Sequence, residues 1–299
     1  MNQTKKKNPL KRLLSMRGMG QVVTVTIGLI VLLVAFALIN PNFWSPTNRT
    51  NLLRQIAPIL IIGIAQSYVL ITGNIDLSIG SVVGMSTMVA ATLMSKGIMS
   101  PIPALLVTLL CCLLIGVLNG LLVAKFKLPP FIATLGTMTV ARGIAQLVNG
   151  NYNTDSIMKF YPEAAQTFKN VFYYGKTLGL YNGIWIAIIL WIVFNFLLSK
   201  TRTGRYIYAT GSNIDAARLS GVNVVSTTVI AYVVSAFCSF VVGIITCATV
   251  GQGTMDAGNS YEMYAVAASV IGGVSTLGGQ GILLGTVVGA AIWGTLQNG

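Results

Sequence analysis

Long apolar runs alternate with short polar segments along most of this chain. Each run approaches the roughly 20 apolar residues that a helix needs to cross a bilayer. The runs lie at about 20–39, 52–73, 76–95, 102–124, 130–149, 181–199, 225–249, 261–274 and 280–298. The pattern predicts an all-α integral membrane protein, a polytopic helical bundle with nine spans. We expect a basic segment, 1–19, to precede one transmembrane domain, 20–299.

Composition supports the membrane class and argues against catalysis. Hydrophobic residues make up 54% of the chain and charged residues 8%, whereas soluble domains carry about 25% charged residues. Histidine, the commonest general base and metal ligand, does not occur in the sequence. The four cysteines lie inside apolar runs without CxxC spacing, which favours small buried side chains over a disulfide or metal site. We therefore predict no metal and no catalytic residue.

The net charge of +13 is placed as a topology signal. Twelve of the 19 lysines and arginines lie in 1–19, 125–129 and 200–224, which nine spans would place on one side of the membrane. The positive-inside rule then predicts a cytoplasmic N-terminus, a cytoplasmic loop at 200–224 and an outside loop at 150–180. A zinc knuckle or a base-reading basic helix is lacking, so the charge does not indicate nucleic-acid binding.

The polar island at 201–224 reads TRTGRYIYATGSNIDAARLSGVNV and separates two apolar runs. It predicts one short helix at 213–220. Asn213 suits the N-cap, Asp215 and Arg218 are three residues apart on one face, and Gly221 suits the C′ position. Because so short a helix is unstable alone in water, we expect it to dock on its own bundle or on a partner protein.

Two further interruptions fall between apolar runs. Residues 74–81, NIDLSIGS, contain the only acid before residue 155, Asp76. Asp76 is predicted to cap a helix beginning near Leu77, or to face a gate or solute path, and both roles are compatible. Residues 272–281, GGVSTLGGQG, contain five glycines. An irregular turn at membrane depth is tolerated beside protein or a water-filled cavity, and broken helices mark many transport paths.

Several other positions allow two interpretations. Arg142 lies in an apolar run and could serve function or extend to the outer surface. Asn119 could link helices or contact a solute. Acids in the outside loops could be solvated or form a docking surface, and small-xxx-small glycine pairs could pack within the chain or between subunits. The residues predicted for the solute path or gate are Asn74, Asp76, Ser78, Asn119, Arg142, Gly273, Gly278 and Gly279.

Four collinear segments together resemble a known family. They are ITGNIDLSIGS (71–81), PPFIATLGTM (129–138), the island at 201–224, and YEMYAVAASVIGGVSTLGGQGILLGTVVGA (261–290). The chain is similar over most of its length to the permease subunit of a bacterial ATP-binding-cassette (ABC) importer of the ribose/galactose/xylose type. The resemblance implies a fold like that of the vitamin B12-type (type II) permeases, with about ten spans. Because nine spans would leave the C-terminus outside, either a final span is missing or the last hairpin is unusual, and we expect the missing span.

The resemblance also implies partners and a location. It implies a homodimer with one solute path, in the bacterial cytoplasmic membrane, fed by an extracytoplasmic sugar-binding protein. A cytoplasmic ATPase subunit would bind ATP and Mg, and this chain would carry no cofactor. The loop 201–224 would contact that ATPase through a coupling helix at 213–220. The expected coupling residues are Gly204, Arg205, Ala209, Gly211, Asn213, Asp215, Ala216, Ala217, Arg218 and Gly221.

Other functions stay open at this stage. A permease of the same superfamily could import a nucleoside, a polyol or a signalling furanose. An ion-coupled secondary transporter would need a titratable group within the membrane, for which Asp76 and Arg142 are candidates. A membrane-embedded enzyme would need a nucleophile with a base, and the sequence offers no such set.

Overall fold

A computed structural model describes residues 19–299, which form a bundle of α-helices. The predicted N-terminal segment 1–19 lies outside the described residues except for Met19. Each of the nine predicted runs contains a helix. The helices are α1 Met19–Ile39, α2 Pro46–Ile71, α3 Ile79–Ser95, α4 Pro101–Ala124, α5 Pro130–Leu147, α6 Pro162–Lys169, α7 Asn182–Lys200, α8 Arg202–Ser212, α9 Ile214–Leu219, α10 Val224–Val250, α11 Tyr261–Ile271 and α12 Leu283–Asn298.

Five of these helices, α1, α2, α4, α7 and α10, are long and apolar enough to cross a membrane. The helical class is therefore confirmed for the described residues, apart from one short hairpin. Strands β1 (Lys176–Thr177) and β2 (Leu180–Tyr181) pair antiparallel there. A π-helical turn, Asn170–Tyr174, lies just before the hairpin.

Helices α2 and α10 form the centre of the bundle, and most of their apolar stretches are buried. Gly116 and Gly120 of α4 lie directly against α10, where an added Cβ would crowd Ala236 and Val229. Such small residues allow helix backbones to approach closely. The glycine pairs at 80/84 and 285/289 also contact other parts of the same chain. The interpretation that these pairs pack within one chain agrees with these contacts.

The connecting segments lie at the two ends of the bundle. We name the ends by the residues found there, the 200–224 end and the 150–181 end. The segment at 150–181 is partly folded, since it contains α6, the π-helical turn and the hairpin. Asp155 accepts a 2.7 Å hydrogen bond from Lys159, which lowers the pKa of that carboxyl. Both side chains are exposed, so this ion pair contributes little to stability.

Two helices begin inside the bundle rather than at an end. Helix α3 begins at Ile79 and α11 at Tyr261, so the segments 72–78 and 251–260 are largely non-helical. The helix predicted to begin near Leu77 begins at Ile79, and Asp76 caps its start as predicted, since its Oδ1 accepts a hydrogen bond from the backbone N–H of Ser78. The predicted run 261–274 is also too long. Helix α11 ends at Ile271, and Gly273 then adopts a φ of +88°.

Candidate coupling surface and solute path

The island at 201–224 folds into two helices, α8 and α9, packed side by side. The predicted short helix is confirmed as α9, Ile214–Leu219. Its N-cap Asn213 accepts a 2.9 Å hydrogen bond from the backbone N–H of Ala216, and Gly221 follows with a φ of +82°. Helix α8 was not predicted, because its two glycines weaken the helical signal in the sequence. Those glycines instead permit close contacts.

The structure divides the predicted coupling residues into an inner and an outer set. Ala217 is buried against Val222 and Val224, and Gly204 is buried against the carbonyl of Leu198. Ala209 and Gly211 are half-buried. The remaining members are exposed, namely Arg205, Asn213, Asp215, Ala216, Arg218 and Gly221. The inner set therefore holds the two helices against the bundle, and only the outer set can contact another protein.

Two exposed apolar side chains of α9 are not among the coupling residues predicted from the sequence. Leu219 is 89% exposed and Ile214 is 47% exposed. They lie at the two ends of a helix that also exposes Asp215 and Arg218, whose atoms approach to 3.4 Å. Ile214 and Leu219 therefore give the exposed part of α9 both apolar and charged groups. The alternation of apolar and charged residues in IDAARL was the available sequence signal.

The last turn of α8 packs directly on both interruptions noted in the sequence. We call this contact the glycine junction and define it as Ile71, Gly73, Gly211, Gly278 and Gly279. The backbone N–H of Gly279 donates a 2.9 Å hydrogen bond to the carbonyl of Ile71. A Cβ on Gly211 would overlap that carbonyl oxygen. Gly278 has a φ of +88°, and a Cβ there would lie 2.8 Å from the Cα of Gly73. Only glycine fits such contacts.

Side chains strengthen the attachment of α8 to the segment that contains Gly278 and Gly279. The hydroxyl of Tyr208 donates a 2.6 Å hydrogen bond to the carbonyl of Gly281. Burial raises the pKa of Tyr208 to about 12, so this hydroxyl stays protonated at physiological pH. Trp191 of α7 donates to the carbonyl of Leu283, at 3.1 Å. A displacement of α8 would therefore act on residues 278–283 as well as on the end of α2.

Asp76 is buried deep in the bundle. Its Oδ2 accepts a 2.7 Å hydrogen bond from Ser235, which is eleven residues into α10. At 1.5 Å per residue this is a depth of about 16 Å from the 200–224 end. The segment 72–78 thus enters the bundle from that end. Irregular backbone at such depth requires protein or a water-filled cavity around it.

The Asp76 carboxylate is satisfied by uncharged donors. Its Oδ1 accepts from the backbone N–H of Ser78 at 2.9 Å and from the Ser78 hydroxyl at 2.6 Å. The network continues through Asn119, which donates to Ser78 at 2.9 Å and accepts from Thr137 at 2.6 Å. Three predicted residues, Asp76, Ser78 and Asn119, are thereby brought together. The network joins the start of α3 to α4, α5 and α10.

Arg142 holds the second non-helical segment, 251–260. Its Nη1 donates to the carbonyls of Met255 and Ala257, at 3.0 and 2.9 Å. The half-buried guanidinium therefore braces this segment, and the role of Arg142 in the solute path stays a prediction. The same segment is bonded to the 150–181 end, where Gly253 accepts a 2.9 Å hydrogen bond from the N–H of Thr154.

The two non-helical segments meet near the start of α3. A Cβ on Gly80 would overlap the carbonyl of Gly258 and the carboxylate of Glu262, and a Cβ on Gly258 would overlap the carbonyl of Gly80. Gly80, Gly258 and Glu262 were not among the predicted path residues. The small-xxx-small spacing at 80/84 was their only sequence signal. Contacts therefore run from α8 to the 150–181 end through 72–78 and 251–260.

Two predicted path residues lie away from this meeting point. Gly273 contacts Gln21 of α1. Asn74 lies nearer the 200–224 end, where its Nδ2 donates a 2.8 Å hydrogen bond to the hydroxyl of Thr72. Within residues 19–299, no group of three acidic, cysteine or histidine residues is placed to hold a metal.

Comparison with known proteins assigns the family. Residues 48–299 match the family model described as "Branched-chain amino acid transport system / permease component". The chain belongs to this family of ABC transport permeases. Permeases are the non-catalytic subunits of such transporters, so this permease is a multi-pass membrane protein rather than an enzyme. No solved structure matches it.

Several sugar permeases resemble this permease along most of its length. The ribose import permease protein RbsC of Haemophilus influenzae is 40% identical over 275 residues, covering 91% of this chain and 83% of that protein. RbsC of Bacillus subtilis is 36% identical, with the same coverage of both chains. The galactofuranose transporter permease protein YtfT of Escherichia coli is 36% identical, covering 95% of this chain and 82% of that protein. The predicted resemblance to monosaccharide importer permeases is confirmed.

Proposed function

We propose that this permease is the membrane subunit of an ATP-driven, binding-protein-dependent importer of a monosaccharide of the ribose type. The relatives supply the solute class, and the contacts supply the mechanism. The observation that carries the mechanism is the continuous route from α8 to the 150–181 end. It passes through the glycine junction, the Asp76 network and the contact between Gly80 and Gly258.

The proposed topology has nine spans in residues 20–299 as one domain of type II permease fold. The 200–224 end, with the basic segment 1–19, is cytoplasmic, and the 150–181 end is extracytoplasmic. The excess of lysine and arginine in those segments supports this orientation. The membrane is the bacterial cytoplasmic membrane. The working unit is a homodimer, with the exposed apolar faces of its helices covered by lipid or by the second copy.

In this proposal a separate ATPase subunit binds ATP and Mg and docks on α9. Leu219 and Ile214 supply the apolar contact, and Asp215 and Arg218 supply its polar rim. Closure of the ATPase moves α8 with α9, because Asn213 belongs to the end of one helix and the start of the other. Gly211 then presses on Ile71 and displaces 72–78. Solute access changes from the outer to the inner side where 72–78 meets 251–260.

The ATPase contact is tested by purifying the permease in mild detergent from its native membranes, with Leu219→Asp as the variant. We expect the wild type to retain a P-loop ATPase and the variant to lose at least nine-tenths of it, since a carboxylate replaces the most exposed apolar side chain of α9. Leu178→Asp is the matched control, because Leu178 is 87% exposed at the opposite end.

Three outcomes are decisive in this experiment. Loss of the ATPase from Leu219→Asp alone supports the contact. Equal retention by both variants would show that α9 is not the docking site. Absence of any ATPase from the wild type, even after cross-linking, would refute the importer assignment itself.

A further inference from the structure

A cavity of about 240 Å³ lies towards the 150–181 end of the bundle. It is bounded by α2, by the last turns of α10, by the first turn of α11 and by the π-helical turn. This volume equals that of roughly eight water molecules, which is enough for one small polar molecule. The cavity is separate from the Asp76 network and from the glycine junction. It borders α11, whose first turn also carries Glu262 against Gly80.

The walls combine aromatic rings with uncharged polar groups. Tyr173, Tyr261 and Tyr264 supply the rings, and Gln55 and Gln297 supply amides. An amide can both donate and accept hydrogen bonds, as a hydroxyl group does. No acidic side chain occurs among the described residues that line the cavity. The lining therefore suits an uncharged molecule with many hydroxyl groups and apolar C–H faces better than a cation.

Arg54 contributes a side-chain donor with no partner among the described residues and a carbonyl that lacks its usual helical partner. Its guanidinium lies over the rings of Tyr173 and Tyr181, at 4.4 and 4.2 Å from their centroids. Its Nε is buried and has no hydrogen-bond acceptor within residues 19–299. Pro58, four residues later in α2, has no N–H, so the carbonyl of Arg54 also loses its helical partner. Buried polar groups are normally paired, and both Arg54 and Pro58 line the cavity.

We infer that this cavity is a reception site for the monosaccharide, entered from the extracytoplasmic side before the solute reaches the contact between Gly80 and Gly258. The inference rests on the proposed function. The sugar would place a C–H face on a tyrosine ring and its hydroxyls on Gln55, Gln297 and the guanidinium of Arg54. Tyr261 and Tyr264 connect this site to α11, so its occupancy would be sensed by the helix that bears Glu262.

The test uses the complete importer in proteoliposomes, with its ATPase and its binding protein, and radiolabelled ribose as the probe. Gln55→Ala removes one amide from an exposed side chain, so the fold is expected to persist. We expect ATP-dependent uptake to fall about threefold to tenfold, the loss that corresponds to one or two hydrogen bonds. Gln166→Ala is the matched control, because Gln166 is an exposed amide at the same end outside the cavity.

A second measurement needs no variant and locates the bound sugar instead of measuring a rate of uptake. A photoreactive ribose carried by the binding protein should label the segments 51–59, 245–250 or 261–264 in the wild-type importer. Labelling confined to other segments, or equal uptake by Gln55→Ala and Gln166→Ala, would overturn the reception site while leaving the importer assignment intact. If the wild type shows no ATP-dependent ribose uptake, the proposed function fails, and the reception site fails with it.

Discussion

The segments 72–78 and 251–260 enter the bundle from opposite ends and are held by different means. Backbone-to-backbone contacts between glycines anchor 72–78 at the glycine junction. The side chains of Arg142 and Thr154 hold 251–260, in addition to the backbone contacts that Gly253 and Gly258 make. Direct backbone contact passes a displacement from one segment to the next, because close-packed protein interiors are nearly incompressible. Arginine and threonine side chains can exchange hydrogen-bond partners, so 251–260 is the segment better suited to change shape when a solute arrives.

The largest effect is expected at the glycine junction. Gly278→Ala would add a Cβ 2.7 Å from the carbonyl of Gly211, at a φ of +88°. Backbone strain and overlap together should cost about 2–5 kcal/mol of stability and remove most transport. Gly179→Ala is the control, because Gly179 has a φ of +80° but no neighbour within 4 Å. Thermal unfolding in detergent compares the two variants. Equal losses of stability would show that backbone strain alone, without the overlap, accounts for the effect at Gly278.

A smaller effect is expected from the buried carboxylate of 72–78. Asp76→Ala leaves the N–H and hydroxyl of Ser78 and the hydroxyl of Ser235 without their acceptor. We expect a loss of about 2–4 kcal/mol, with Asp76→Asn losing about 1 kcal/mol, because an amide oxygen still accepts from Ser78. Thermal unfolding measures the loss of stability, and ribose uptake measures its effect on transport. A fully active Asp76→Ala importer would mean that the network does not position 72–78.

The smallest effect is expected on 251–260. Arg142→Lys keeps a cation that can still reach one carbonyl, so we expect a loss of about 1 kcal/mol and a twofold to fivefold fall in uptake. Arg142→Met removes the hydrogen-bond donor, so its loss of stability and of uptake should exceed that of Arg142→Lys. If Arg142→Lys proves as damaging as Gly278→Ala, the contrast between a backbone-anchored segment and a side-chain-anchored segment is wrong.

The hydrophobic pattern predicted where the helices lie, since burial in lipid or in a core demands long apolar runs. It could not predict that Ser235 bonds Asp76, at the start of α3, across 159 residues. Helix α8 escaped prediction for a related reason. Gly204 and Gly211 disfavour a helix locally, and their benefit is a close contact with distant backbone.

The candidate site was predicted unevenly for similar reasons. Asn213 and Gly221 use local capping chemistry, so their places in α9 could be predicted from neighbouring residues. Ala217 was expected on a contact surface, but it faces Val222 and Val224. The helix is too short to show a face in its sequence. Glu262 and Gly258 belong to the meeting of two segments far apart in the chain, which no local pattern contains.

The central claim is that α8 passes the motion of the ATPase to 72–78 through Gly211. The most direct test is the number of ATP molecules hydrolysed per ribose imported by Gly211→Ala in the reconstituted importer. Gly28→Ala serves as the control, since no atom of residues 19–299 would lie within 4 Å of a Cβ at Gly28. We predict that Gly211→Ala keeps its ATPase and hydrolyses ATP while ribose uptake falls at least tenfold, because the added Cβ overlaps the Ile71 carbonyl. If Gly211→Ala imported ribose at the wild-type rate, with the same number of ATP molecules hydrolysed per ribose, the account would be contradicted.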